Sequence, residues 1–258
     1  MARAHPWYLP FTPRPDARLR LYCLHCAGGG PSMFRTWPEL LPDWIEVRAV
    51  RLPGRPGRHR EPPLTSADEA VAALLDGLSD AGGLDRDHAF LGHSMGALLA
   101  YLMLGELDAA GLPAPRFFGV AAWTPGGASR DVMPDPESSD EVFTEAVRAL
   151  GGVPDELLDD PGMLRATLPM LRADFTLVRG YRRPERPRTR VPLVAFGGAD
   201  DRVVPPALMD AWKDESEDFR GLHMFPGGHF FLREHAAEVA RIVARTAGEV
   251  LAAPAAPH

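Results

Sequence analysis

The sequence predicts an α/β architecture, a mostly parallel sheet flanked by helices, and three observations carry that prediction. Short apolar runs alternate with helical patterns along most of the chain, the order expected of βαβ units. One run, residues 117–123, is apolar throughout, as a strand buried on both faces of a parallel sheet must be. At 258 residues, 45% hydrophobic and 24% charged, the chain is long enough to close one large core.

The elements follow in order. Residues 19–24 form the first apolar run, and Gly28-Gly29-Gly30 lies in the loop behind it. Pro31 suits a first helical turn, so a helix is expected over 31–41. Residues 47–52 read as the next strand, closed by Pro53-Gly54, and the Arg- and Pro-rich stretch 55–63 as an exposed loop. Ser66 precedes Glu69 by three residues, a capping-box pattern that opens a helix running to Leu78. A brief strand at 89–91 leads into Gly92-His93-Ser94-Met95-Gly96 and a helix over 95–107. Further strands are expected at 191–196 and 222–225, then a last helix over 231–251 and a frayed tail at 252–258. Residues 129–187 break the alternation, with helical patterns at 141–150 and 163–181 and no strand pattern. The expected organisation is a single domain over 1–258 carrying a helical lid insertion at 129–187, with plain packing helices as the alternative. Phe143, Val147, Leu150, Met163, Leu164, Leu168, Leu171 and Phe175 recur there at helical spacing, which directs them to the core or to a pocket.

Composition removes several classes of function. The formal net charge is -7 and the pI ≈ 5.7, with Lys213 the only lysine, so the clustered cations a nucleic acid requires are missing. No apolar run approaches the ~20 residues that span a bilayer. The first 20 residues are polar and proline-rich, unlike a secretory signal, so a cytoplasmic protein without a membrane partner is expected. Cys23 and Cys26 make a C-x-x-C, but with two cysteines in all there is no second pair to complete a zinc cage. They read as one residue ending a buried strand and another in the loop after it, and no metal or cofactor is expected.

The chemistry-bearing pattern is Gly92-His93-Ser94-Met95-Gly96, a G-x-S-x-G placed between a strand and a helix. That context is a nucleophile elbow, in which the serine occupies a strained turn and its hydroxyl projects from the sheet. A glycine-flanked serine that merely caps a helix is the bland alternative. A serine hydroxyl needs a base, and the base needs a group to orient it; on this fold they follow in the order Ser, acid, His. Of nine histidines, His229 alone combines that order with a glycine-flexed loop, Pro226-Gly227-Gly228-His229, after a strand. His223 falls within that strand and His235 within the last helix. Asp200 and Asp201 both follow the strand ending at Phe196, and either suits the acid. Oxyanion donors, each worth about 2.7–4 kcal/mol in comparable sites, are expected from the Met95 backbone N–H and from the loop Cys26-Ala27-Gly28-Gly29. That glycine loop lacks the Lys of a P-loop and the full dinucleotide-binding spacing.

With these residues placed, the chain resembles the type II thioesterases, the stand-alone editing hydrolases of polyketide and nonribosomal peptide assembly lines, over about residues 19–243. The motifs are Ala27-Gly28-Gly29, Arg51-Leu52-Pro53-Gly54-Arg55, Gly92-His93-Ser94-Met95-Gly96, Leu150-Gly151-Gly152-Val153-Pro154, Leu171-Arg172-Ala173-Asp174-Phe175, Gly198-Ala199-Asp200-Asp201 and Pro226-Gly227-Gly228-His229-Phe230-Phe231. The resemblance implies the α/β-hydrolase fold and release of acyl groups from the phosphopantetheine arm of acyl or peptidyl carrier proteins. It implies a triad of Ser94, Asp201 and His229, with Met95 and Ala27 as oxyanion donors and no cofactor. A monomer is expected, and a chain-terminating or cyclising thioesterase is the less favoured enzyme reading, because those are usually fused to a synthase and no carrier domain stands upstream here. The chain departs from the family at His25-Cys26, where proline and an aromatic are more usual, and at Trp123-Thr124-Pro125, where a small residue and an arginine are common; both bear on pocket shape. Two rival readings are a carboxylic-ester hydrolase on the same fold and a non-catalytic module that docks on carrier proteins.

Overall fold

The computed structural model describes residues 6–129, 131–153 and 155–252. Seven strands form one sheet in the order β1-β3-β2-β4-β5-β6-β7: β1 Tyr8–Leu9, β2 Leu19–Leu24, β3 Ile45–Val50, β4 His88–His93, β5 Phe118–Ala121, β6 Leu193–Gly198 and β7 Phe219–Phe225. All neighbouring pairs are parallel except β1 with β3. The helices are α1 Trp37–Leu40, α2 Ala67–Asp80, α3 Met95–Ala109, α4 Asp140–Leu150, α5 Asp155–Asp159, α6 Pro161–Gly180, α7 Phe231–Glu234 and α8 Ala236–Ala252, with 3₁₀ segments at Pro31–Phe34 and Pro206–Asp214. This is the α/β-hydrolase architecture the sequence predicts. No helix among the described residues is long and apolar enough to cross a membrane.

Alternation along the strands builds two cores. Leu19, Leu21 and Cys23 of β2 pack with Phe34, Trp37 and the α8 residues Val239 and Val243 on one face. Tyr22 and Leu24 pack with α2 and α3 on the other, around Leu74, Leu98 and Tyr101. Both cysteines are buried free thiols, Cys23 within β2 and Cys26 in the following loop.

The differences from the sequence reading have local causes. The helix expected over 31–41 is divided into a 3₁₀ turn and α1, because Pro38 supplies no N–H and its ring would meet the carbonyl four residues earlier. β1 was not legible, since two residues carry no period-two signal. The strand read over 117–123 ends at Ala121, where Ala122 turns to φ 52. The last helix is interrupted at His235 (φ -107, ψ 24), whose ring lies 5.3 Å from Phe225. The short helix α5 joins α4 and α6 within the insertion. Met163, placed with the inward-facing residues by its spacing, is 51% exposed. The tail expected at 252–258 lies, beyond Ala252, outside the described residues, as do residues 1–5.

The chain enters the parallel sheet at β2, adds β3 on one side, then crosses back to add β4 on the other. β2 and β4 therefore flank the point where the winding reverses, and loops leaving their carboxyl ends diverge to leave a crevice. Register places Leu24 beside Gly92, so the loop after β2 and the turn after β4 start at the same height.

Candidate functional site

Ser94 follows β4 and precedes α3 at φ 54, ψ -117, a conformation that costs a non-glycine residue of order 1–3 kcal/mol. The fold holds it there. Its N–H donates to Ala121 O at 2.8 Å, and its carbonyl accepts from the Ala97 and Leu98 N–H groups. Gly96 makes the turn possible: a Cβ there would lie 2.2 Å from the Leu24 carbonyl oxygen. Met95 is the first residue of α3, so its N–H has no intrahelical acceptor and sits at the positive end of the helix dipole.

The acid and the histidine arrive on neighbouring strands. Gly198 of β6 pairs with Phe225 of β7, and the two following loops are joined by Ala199 N–H to Phe225 O (2.8 Å) and Asp200 N–H to Gly227 O (2.9 Å). Asp201 turns inward and is 4% exposed, while Asp200 faces solvent. Asp201 Oδ2 lies 2.8 Å from His229 Nδ1, and its Oδ1 accepts from the Val203 and Val204 N–H groups at 2.8 and 2.9 Å. Burial by itself would raise the Asp201 carboxyl, but the hydrogen bonds from His229 and the two backbone N–H groups outweigh it and hold the pKa below its ordinary value. An ionised carboxylate only accepts, so His229 donates from Nδ1 and its Nε2 is the acceptor. Ser94 Oγ lies 2.8 Å from that Nε2. The structure thus brings Ser94, His229 and Asp201 into one hydrogen-bonded chain and leaves Asp200 outside it.

Ala27 lines the same cleft as Ser94 and His229. The cleft is ≈ 440 Å³ with its open mouth included, and its remaining wall is largely apolar, with Val147, Leu150 and Phe175 contributed by the insertion. Cys26, one of the departures from the family pattern, also lines it. Trp123, another, lies instead against the Tyr181 ring at 5.5 Å. His223 stacks on Phe196 within β7, and His235 lies 3.5 Å from Glu238, so neither competes with His229.

Three contacts around the site escaped sequence reasoning. Fully buried His93 donates from Nε2 to the His229 carbonyl at 2.8 Å, which anchors the loop that presents the imidazole. Burial, reinforced by the charge of His229, pushes the His93 pKa down to about 3, so it holds that loop as a neutral ring. Arg233 of α7 donates to Gly152 O at 2.6 Å and stacks on Phe230, tying the end of the histidine loop to the insertion. Asp174 of α6 forms a buried pair with Arg55, 119 positions away in the chain. A signal for the last did exist: Asp174 sits on the same helical stripe as Leu171, Phe175 and Val178, where a carboxylate needs a buried partner.

A parallel sheet carrying a strained serine at the end of β4, with a hydrogen-bonded histidine and acid on the loops after β7 and β6, defines the chain as an α/β-hydrolase. A family model described as thioesterase domain matches residues 19–246. The chain is 31% identical over 257 residues to the gramicidin S biosynthesis protein GrsT of Aneurinibacillus migulanus, covering 98% of each. Its structure is similar to that of RedJ, a thioesterase from the prodiginine biosynthetic pathway in Streptomyces coelicolor (TM-score 0.82, 34% identity, 91% of this chain and 87% of that one). It is equally similar to the type II thioesterase BorB from the borrelidin biosynthetic cluster (TM-score 0.83, 31% identity, 95% and 99%). The chain belongs to the thioesterase family and is a hydrolase acting on thioester bonds.

Proposed function

We propose that this thioesterase releases acyl groups from the phosphopantetheine arm of acyl or peptidyl carrier proteins, clearing stalled or aberrant chains from a polyketide or nonribosomal peptide assembly line. The observation that carries the reading is the unbroken hydrogen-bonded chain Asp201–His229–Ser94 at the edge of an apolar cleft. The roles follow from its polarity. Ser94 Oγ attacks the thioester carbonyl as its proton passes to His229 Nε2, while Asp201 holds the ring and stabilises its cationic form. The Met95 and Ala27 N–H groups take the developing oxyanion. Collapse expels the pantetheine thiolate, which takes the proton from His229 and leaves an acyl-Ser94 ester. Water then attacks that ester, His229 again takes and returns a proton, and the free acid departs.

The cleft wall matches an acyl chain, since few of its groups demand polar partners. The helices α4 to α6, lying between β5 and β6, act as the lid over it, and the carrier body remains outside while the pantetheine arm enters. Full-length likeness to a gramicidin S biosynthesis protein and to a type II thioesterase supports the carrier-bound substrate.

The test compares one acyl group loaded on a carrier protein with the same group as a simple oxygen ester. Faster turnover of the carrier thioester is expected, and preference for the oxygen ester removes the carrier-editing role. Ser94→Ala and His229→Ala should each lower turnover by about 10⁴-fold or more with the fold intact, because triad members act as a unit. Near-wild-type activity in a folded Ser94→Ala protein sinks the assignment.

A further inference from the structure

We propose that the buried Arg55–Asp174 pair is a positioning device for the oxyanion loop, acting on the reaction through the backbone of residues 26–29. The inference rests on the reading that the Ala27 N–H is an oxyanion donor.

An oxyanion hole made of backbone works only while its peptide planes keep one orientation. A flip about a single plane exchanges an N–H for a carbonyl oxygen and turns attraction into repulsion. Glycine is where such flips are cheap, and this loop carries Gly28 and Gly29 with Gly30 directly after, Gly28 standing at φ +71. The peptide plane that carries the Ala27 N–H also carries the Cys26 carbonyl, and that carbonyl is held by the Gly29 N–H at 3.0 Å. In a trans peptide the N–H and C=O point in opposite senses, so pinning one aims the other. The next plane is held through its N–H, which donates from Gly28 to Asp174 Oδ2 at 2.8 Å. The plane after that carries the Gly29 N–H and is held by the same bond to Cys26 O, and the fourth is held through its carbonyl, where Gly29 O accepts from Arg55 Nε at 3.2 Å. Four successive planes are thus oriented, the second and the fourth by a single ion pair.

The pair itself is well fixed. Each side chain is 2% exposed, Arg55 Nη2 donates to the same Asp174 Oδ2 that receives Gly28, and Arg55 Nη1 donates to Pro53 O at 3.1 Å. Neither charge can turn away without leaving the other unpaired in the interior. Asp174 belongs to α6, and a Cβ on Gly28 would lie 2.7 Å from Leu171 and 3.2 Å from Val153, so the insertion presses directly on the loop. At this level α6 forms a wall of the site, tied to the loop by Asp174 and packed on Gly28 through Leu171. The two partners come from the Arg51–Arg55 and Leu171–Phe175 motifs, to which the triad chemistry assigns nothing.

The experiment measures kcat per active site, counted by stoichiometric fluorophosphonate labelling of Ser94, in Asp174→Asn, in Arg55→Lys and in the double variant Arg55→Met/Asp174→Leu. The double variant removes both charges together, so the interior is not left with an uncompensated ion and stability returns toward that of the wild type. Expected for all three is a fall in kcat per labelled site of about 10²-fold, the scale of one lost oxyanion donor, with KM within about threefold of wild type. A boronate inhibitor, which places an anionic oxygen in the oxyanion position once bonded to Ser94, should weaken in parallel with kcat. Thermal stability recovered together with wild-type kcat in the double variant overturns the proposal. So do single variants whose entire loss lies in the number of labelled sites. Ser94→Ala in the otherwise wild-type chain separates the two layers: activity surviving there removes the triad reading itself, whereas its loss beside wild-type kcat in the Asp174 and Arg55 variants removes only the positioning role.

Discussion

Asp201 and Asp200 share a loop and a charge, yet one lies against His229 with three hydrogen-bond donors on its carboxylate and the other meets water. The difference is made by backbone direction. Asp200 gives its N–H to Gly227 O, which turns its side chain outward, and the next residue points in. Asp201→Asn should lower kcat by roughly 10⁴-fold, as loss of the orienting acid does elsewhere, while Asp200→Asn stays within about tenfold of wild type. Steady-state kinetics on a carrier-bound thioester decide this, and the reverse pattern transfers the role to Asp200.

At the scale of elements, the crossing of β2 with the elbow leaves no space for a side chain at Gly96, whose Cβ would overlap main chain rather than a movable tip. Gly96→Ala should cost about 1–3 kcal/mol or more in a denaturant melt and displace Ser94 enough to suppress activity. The insertion forms a small core of its own, in which Phe143 and Phe175 meet edge to face at 5.8 Å. Its cleft-facing residues set the space left for an acyl chain. Val147→Phe and Leu150→Phe should reduce kcat/KM for long acyl groups roughly tenfold or more relative to short ones, since each methylene in an apolar pocket is worth about 1–3 kcal/mol. Met163→Phe, on the exposed side of α6, should leave that ratio unchanged. A selectivity profile that ignores the two cleft variants, or follows Met163 as closely, removes the insertion from substrate choice.

Among the described residues, burial lowers the pKa of four histidines, His25, His88, His93 and His223, and it does so most strongly for His25 and His93. Burial lowers His25 and His93 to about 3 from 6.5, helped for His25 by the charge of Arg55 and for His93 by that of His229. Between those two pH values the unfolded chain binds protons that the folded one refuses, so stability is complete above about 6.5 and declines as the pH falls toward 3. Asp201 works in the same sense at the acid end, because its lowered pKa contributes above the ordinary value of 3.8 and is lost as the pH falls through the folded one. Urea midpoints measured from pH 7.5 to pH 3.5 should therefore drop steadily. His93→Gln, which keeps a donor for the His229 carbonyl but cannot titrate, should flatten the curve; an unchanged slope assigns the acid sensitivity to other groups.

What the sequence by itself determined is whatever is local in the chain. The alternation of apolar runs set the order of strands and helices, Gly92 to Gly96 marked the elbow, and the glycine-flexed loop singled out His229, because each is a pattern within a few residues of itself. The same locality explains the differences: Pro38 divides one expected helix, Ala122 ends a strand early, and a two-residue edge strand has no pattern to read. Only the tertiary structure decided which groups meet. That Asp174 holds both Gly28 and Arg55, and that His93 anchors the His229 loop, depends on contacts spanning 146, 119 and 136 positions. Contacts of that kind are set by how the sheet winds back past β2 and where it leaves a crevice. Burial then decides how those groups behave, lowering the pKa of His93 while hydrogen bonds hold that of Asp201 down, and burial is a property of the packed molecule rather than of any stretch of chain.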